Sequence, residues 1–456
     1  MRRHLTFTSL VGCVGWALGS LASAQAVHIV SGGIVQSFGS VQLAVDAASE
    51  GDAILVAEGT YQPFRIDGKS LSVFAMPSAI VNVDQGAAWF AVEVNGLGPE
   101  QRVVLSGLRV SNAHGWGAPY RTLSLSQNAG YVYAQDCEFE FPGGNIFDPG
   151  CWEFDGAFGA LITDSDRVAF SDCFFHGGGG SYSDQWCSEN YGTDSGEGGP
   201  GLLCVRSRVA LQRCSVFGGE GGEGDTGLRP GGYGLDLQDS EVFCLDTQVS
   251  GGPMGAPGWG GGIPGSAAAF LDGTSVLHYI ESAFLGGLGV PMGPDFGGPG
   301  LVHSIPGVAR GLEAGVVSSW TNPGNATFHG VQGDRLWMLT SLDPKYRVLV
   351  PIGILHLTLS FPLSPPVGFV PASGSLSVPL NFGSLTSSSA PGPVAIQGFA
   401  VGGSNRKLSG ARHMLAFDPT SGPDCNGNGV NDYLDIVSGT SPDANHNLIP
   451  DECTGG

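Results

Sequence analysis

Gly201-Leu202-Leu203-Cys204-Val205-Arg206-Ser207-Arg208-Val209-Ala210-Leu211-Gln212-Arg213-Cys214-Ser215-Val216-Phe217-Gly218-Gly219 is one unit of an internal repeat. With Val209 as its anchor, Leu202 stands seven residues before, Cys214 five after and Val216 seven after, and a glycine pair closes the unit. The anchor and its partner recur as Val103/Val110, Val132/Phe139, Val168/Phe175, Val242/Val249 and Leu277/Phe284. Five residues after the anchors come Leu108, Cys137, Cys173, Thr247 and Ser282. Seven before them come Leu125, Leu161, Leu235 and Phe270, with Gly96 departing from the pattern in the first unit. A repeat of some thirty to forty residues is the period of a solenoid.

Apolar residues alternate within each unit, as in Leu123-x-Leu125 and Leu235-x-Leu237, and alternation means strand. A single coil cannot bury its inward face, so the coils must stack to make a continuous core. Glycine supports this: 39 of the 76 glycines fall between residues 141 and 300, where they read as turns and protruding loops. A propeller or a sandwich of hairpins is the competing reading. It wants two-residue Asn-Gly or Asp-Gly turns, which are scarce here.

A stack has open ends that need covering. Ser40–Ser49 fits an amphipathic helix with Ser40 as N-cap and Val41, Ala44, Val45 and Ala48 on one face. Then Glu50–Tyr61 reads as a turn, a buried strand and a second turn that closes on Gly59-Thr60-Tyr61. This opening resembles that of pectate-lyase-like right-handed parallel β-helix proteins, by motif over 27–80 and by repeat character over 80–300. The resemblance implies an all-β fold with a right-handed parallel β-helix over 25–304. From 305 to 420 glycine thins, and runs such as Leu336–Leu339, Arg347–Leu359, Ser375–Phe382 and Pro393–Val401 alternate between turn residues, the pattern of a β-sandwich.

The last segment, 421–456, carries the clearest chemistry. Asp424, Asn426, Asn428, Asp432 and Asp435 place side-chain oxygens at loop positions 1, 3, 5, 9 and 12. Gly429 stands at position 6, and the Val430 carbonyl supplies position 7. A hard cation taking six to eight oxygens needs such an array. Asp443, Asn445, Asn447, the Ile449 carbonyl and Asp451 repeat it, with Leu448 in place of the glycine and Thr454 at position 12. The stretch resembles the duplicated calcium modules of dockerins and, more closely, thrombospondin type 3 repeats, which makes calcium the expected cofactor. Cys425 and Cys453 bracket the pair and would staple it.

Arg2 and Arg3, the apolar run Leu10–Leu21 and Ala22-Ser23-Ala24 read as an export signal over 1–24. Its removal takes Lys+Arg from 19 to 17 against 41 Asp+Glu, and the formal charge from −22 to −24. Such a chain repels nucleic acid and attracts cations. No later run is long enough to span a membrane. The expected location is secreted, extracellular or at the cell surface, where disulfides persist. Cys151 and Cys187, in long insertions, could meet outside the stack. Cys137, Cys173 and Cys214 share an inward column and are expected as buried thiols.

Trp152, Trp186 and Tyr191 with Asp155 and Asp184 combine aromatic planes and carboxylates in the long loops, a composition suited to sugar rings. The same residues equally serve to pin glycine-rich loops while the acids face water. A polysaccharide or cell-surface protein is therefore the expected partner, with a lyase or glycoside hydrolase as the alternative. A lyase needs a positioned base. Of the three lysines only Lys69 lies in the solenoid, and Arg102, Arg167 and Arg208 form a column that Glu241 continues and can neutralise.

Overall fold

The computed structural model describes residues 26–31, 34–77, 79–84, 88–111, 120–141, 155–181, 196–222, 229–255, 265–342, 344–349, 352–357, 365–382, 392–403 and 405–454. Residues 1–24, read above as an export signal, and Cys151 and Cys187 lie outside them. The anchors of the repeat stand in direct register. Val103, Val132, Val168, Val209, Val242 and Leu277 pair in succession across adjacent parallel strands, and Leu71 extends the row by one coil. Val110, Phe139, Phe175, Val216, Val249 and Phe284 do the same in a second sheet. A third sheet runs from Phe64–Asp67 to Phe296–Gly297. The chain is thus all-β in character. It holds one eleven-stranded and two eight-stranded sheets, parallel apart from the opening hairpin of the first, an architecture compatible with a β-helix.

The residues seven before the anchors do not form the single column expected of them. Leu125 pairs with Ile162, not Leu161, and Phe270 pairs with Asp236 on the outward face. The inward rows of the third sheet are Leu123–Ala160–Leu202–Leu235–Ala269 and Leu125–Ile162–Cys204–Leu237–Leu271. The turn between the third and first sheets varies in length from coil to coil, so counting back from the anchor loses the face. Gly59–Tyr61, expected as a turn, is the first strand of the second sheet.

The coil corners differ from the expected glycine turns. Asp136, Asp172, Arg213, Asp246 and Glu281 take positive φ between the first and second sheets, and Gln127, Asp164, Arg206 and Asp239 do so before the first sheet. Six of these nine are followed by an Asn, Ser or Thr whose side chain accepts a backbone N–H of the preceding coil. The Ser165 N–H donates to Ser207 Oγ, the Ser207 N–H to Ser240 Oγ and the Ser240 N–H to Ser275 Oγ, at 3.0–3.2 Å. At the other corner Thr247 and Ser282 accept from the N–H groups of Cys214 and Thr247. Arg206–Asp164 and Arg213–Asp172 ion pairs tie neighbouring corners at 2.7 and 2.6 Å. Cys137, Cys173, Cys204, Cys214 and Cys244 are buried free thiols, the first two and Cys214 at corner positions.

The glycine clusters form a structure of their own between the second and third sheets. The N–H groups of Gly177 and Gly180 reach Phe217 and Glu220 in the next coil, and those of Gly218 and Gly221 reach Ser250 and Pro253. Between them, Gly178, Gly219 and Gly252 bond sideways to Ala157, Gly199 and Gly232 at 2.7–2.8 Å. Bonds that repeat every third residue in backbone outside the strands have the periodicity of a polyproline II helix. The chain leaves and returns as two layers of such segments, bonded within and between layers. A Cβ at Gly199, Gly219 or Gly252 would fall inside contact distance of a neighbouring carbonyl oxygen, so only glycine fits.

The helix Val41–Ala47 covers the first coil as expected, with Ser40 Oγ accepting from the Leu43 N–H and Val41, Ala44 and Val45 buried. At 305–420 the chain forms a three-stranded, a five-stranded and a two-stranded sheet. Leu312, Phe328, Leu336, Val378, Ile396 and Met414 share one core between the two larger sheets. The run Arg347–Leu359 is part of a hairpin of Pro344–Leu349 with Gly353–Leu357, not one strand; Pro351 has no N–H to continue a ladder. The strand Asn405–Phe417 lies against the outward face of the first sheet. Gln135 bonds both the N–H and the carbonyl of His413 at 2.8 Å, and Arg412 pairs with Asp136 at 2.8 Å.

Two histidines are buried in this interface. His356 meets Tyr131 Oη at 3.1 Å, and neither ring nitrogen of His413 has a partner among the described residues. Burial lowers His356 to about 3 and holds His413 well below the ordinary range, with His356 and Arg102 adding to the effect on His413.

Two outcomes follow from this packing. Gly219→Ala should lose about 3 kcal/mol or more of unfolding free energy in urea, as overpacked backbone contacts do, whereas Gly39→Ala, with open space at its Cβ, should change it little. The histidines bind protons more readily unfolded than folded. Their contribution is therefore complete above about pH 6.5 and is lost as pH falls towards the folded values. Urea midpoints at pH 7 and pH 5 should show this loss, and His413→Phe should reduce the difference.

Candidate metal centre

Two short loops near the C-terminus repeat one hydrogen-bonding scheme nineteen residues apart. In the first, Asp424 accepts from the N–H groups of Asn428 and Gly429 at 3.1 and 3.0 Å. Asn426 Oδ1 accepts from Asn428, and Asn428 Oδ1 from Val430. In the second, Asp443 accepts from Asn447 and Leu448 at 3.0 and 2.9 Å, Asn445 from Asn447, and Asn447 from Ile449. Asp432 and Asp451 each accept the N–H of the second loop residue, Cys425 and Ala444. In both loops the side-chain oxygens at positions 1, 3, 5 and 9 thus accept from the loop's own backbone N–H groups.

Leu448 marks the difference between them. Gly429 has φ +82° and Leu448 φ +68°, so the leucine adopts the left-handed turn that its loop position demands. Its side chain is buried with Ala57, Met76 and Leu434, and that burial offsets the backbone cost. Position 12 differs as well. Asp435 is buried and accepts from Asn428 Nδ2 at 2.8 Å, while Thr454 Oγ1 donates to the Asp451 carbonyl and brings no carboxylate.

The sequence between the loops forms the helix Asp432–Ser438, capped by the Asn431 side chain and ended by Gly439 at φ +74°. Its buried face seats the loops on the rest of the chain. The Tyr433 hydroxyl meets His28 Nδ1 at 2.8 Å, and its ring lies 5.5 Å from Phe417. The Cys425–Cys453 bond ties the start of the first loop to the end of the second. Glu452 and Ser441, which sequence reasoning missed, link the loops further: Asn426 Nδ2 donates to both, which turns its Oδ1 inward.

The electrostatics suit a cation. Asp432 and Asp435 are almost wholly buried, and among the described residues no Lys, Arg or His pairs with Asp424, Asp432 or Asp435. Burial raises the Asp432 carboxyl above its ordinary range, and the neighbouring Asp424, Asp435 and Glu452 charges raise it further. The inward donors are carboxylate and amide oxygens, so the residues fit a hard divalent ion. The disulfide sulfurs carry no thiolate and add no soft ligand.

Of the residues expected to contact a ligand, only Asp155 is among the described residues. Trp152, Asp184, Trp186 and Tyr191 lie outside the described residues. Asp155 is exposed and accepts the Glu197 N–H at 3.0 Å, which sets the bases of the two long loops side by side. Lys69 donates to the Val45 and Ala48 carbonyls and so closes the end of the covering helix. The arginine column is interrupted: Tyr131 is the register partner of Arg102, and Arg167 donates to the Pro99 carbonyl. Arg208 and Glu241 do pair, at 3.6 Å.

No protein-family model matches this chain, and no curated protein matches it. The residues themselves carry the functional reading. One that the sequence did not single out is Asp236, outward on the third sheet beside Phe270, which stacks on Tyr233 at 5.0 Å. Its Oδ1 is buried without a hydrogen-bond partner among the described residues. Burial raises the carboxyl to about 6, with Asp272 contributing.

Proposed function

We propose that this chain is an exported right-handed parallel β-helix protein with a β-sandwich over 305–420 and a calcium-binding C-terminal module, working as a binding or structural protein outside the cell. The observation that carries the reading is the repeated loop scheme, with buried Asp432 and Asp435 lacking cationic partners among the described residues. Calcium at the first loop would be held by Asp424, Asn426, Asn428, the Val430 carbonyl, Asp432 and Asp435. It would neutralise carboxylates that otherwise repel one another. The second loop, with Thr454 in place of an acid, is the weaker of the two.

The binding role rests on the long loops carrying Trp152, Trp186 and Tyr191, with Asp155 and Asp184 among them. Their bases stand side by side on the glycine layers, a rigid support for contacts with a polysaccharide or a surface protein. A lyase reading is weakened by Lys69, whose ammonium is spent on the helix end. A hydrolase is the second reading. Asp236 favours it, because a carboxyl held near 6 beside a stacked aromatic pair has the character of a general acid.

Calcium should raise the thermal midpoint of the full chain, with a gain near 2.7 kcal/mol at about a hundredfold excess over its dissociation constant. Asp424→Ala combined with Asp435→Ala should abolish most of the calorimetric uptake. A full chain that takes up no calcium would remove the reading. Incubation with neutral and acidic polysaccharides should give binding without new reducing ends. Chain cleavage lost in Asp236→Asn would instead establish the hydrolase.

A further inference from the structure

The two ends of the coil stack are finished differently. At the N-terminal end the helix Val41–Ala47 and the antiparallel pair Val27–Ser31 with Ile34–Phe38 cover the first coil. At the other end the three sheets stop at Leu301–Ser304, Ala283–Leu285 and Phe296–Gly297, and each of these strands has a strand partner on one side only among the described residues. Leu285, Leu288, Val290, Met292 and Leu301 are between 51 and 72 % exposed around that end. Open strand edges beside large apolar side chains are a surface that soluble proteins normally blunt with charge or cover. Among the described residues neither is seen at this end. Residues 283–304 contain one carboxylate, Asp295, and no lysine or arginine, in a chain with 41 acids.

We propose that this end is a self-association surface, and that two copies of the chain meet there about a twofold axis. The order of elements in the last coil supports the symmetry. The chain runs from the second sheet through Gly286–Pro294 to the third sheet and then to the first. The glycine segment therefore lies at the corner opposite the first sheet. A twofold axis perpendicular to the stack, through the middle of the first sheet and that corner, sets Leu301–Ser304 against its own copy. It also sets the second-sheet edge against the third-sheet edge of the partner. Strands related in this way run antiparallel, which is an allowed ladder. The same axis brings Leu288, Val290 and Met292 onto their own copies, as an isologous interface requires. At the closed N-terminal end the covering helix already occupies the third-sheet edge, with Gln42 bonding both the N–H and the carbonyl of Arg65, so a head-to-tail fibre is disfavoured. Low charge lets the copies approach despite the strongly acidic remainder.

Sedimentation velocity on the full chain should show a dimer that dissociates on dilution and that salt does not weaken. Leu288→Glu with Met292→Glu should weaken it at least about tenfold, a loss of about 1.4 kcal/mol, with an unchanged circular dichroism spectrum. Leu43→Glu, an exposed change at the closed end, should leave it intact. Val290→Cys should cross-link to its own copy on mild oxidation. A single-chain mass at all concentrations up to about 100 µM, beyond the range of a specific contact, would overturn the proposal. So would a dimer indifferent to the glutamates, absence of the Val290→Cys cross-link, or a mass that keeps growing with concentration.

Discussion

Backbone-to-backbone registration between successive coils is the constraint on which the rest of the structure depends. Every coil has to offer its N–H and C=O groups to the next at a fixed spacing, because buried backbone left unpaired is costly. In the three sheets this produces the unbroken rows from Leu71 to Leu277 and from Val110 to Phe284. At the corners it forces residues such as Asp136 and Arg206 into the left-handed region, where their N–H groups reach the carbonyl of the next coil. In the glycine layers it brings backbones so close that no side chain fits.

The same constraint explains how the parts are joined. The outward face of the first sheet is a regular array of side chains, among them Tyr131, Tyr133 and Gln135, and the strand Asn405–Phe417 reads it with backbone as well as side chains. Burial of neutral histidines there makes the contact sensitive to acid. The C-terminal loops are seated by Tyr433 and Leu448 on the first coil and on Phe417, so the last residues of the chain touch its first described strand. A cleft of about 400 Å³, lined by Glu58, Met76, Val437 and His446, remains between them.

Local geometry also accounts for the irregular residues. Leu448 departs from the glycine of the first loop, yet its loop keeps the same hydrogen bonds, because its side chain gains a buried site that the solvent-facing Gly429 has no use for. Lys69, the lysine a lyase would have needed, instead serves the carbonyls at the end of the covering helix. The carboxylates of Asp424, Asp432 and Asp435 have no such neutralising partner among the described residues.

The period of the anchors was legible in the sequence because a solenoid repeats the same contact at a nearly constant interval. The capped helix, the buried cysteine column and the oxygen spacing of the C-terminal loops were legible for a similar reason: each is set by residues close together in the chain. Other features needed the folded chain. The rows of the third sheet escaped because the turn before the anchor changes length, and a one-residue slip exchanges the two faces of a strand. The glycine layers read as turns because their hydrogen bonds join residues twenty to forty positions apart. Asp236 was one acid among many until folding buried an oxygen of its carboxylate and set it beside Phe270. Sequence alone determined the repeating coil and the spacing of oxygen side chains in the C-terminal loops, which are local. Tertiary structure decided which charges are neutralised, which end of the stack is left open and where the C-terminal loops rest, because these depend on surfaces that exist only once distant segments meet.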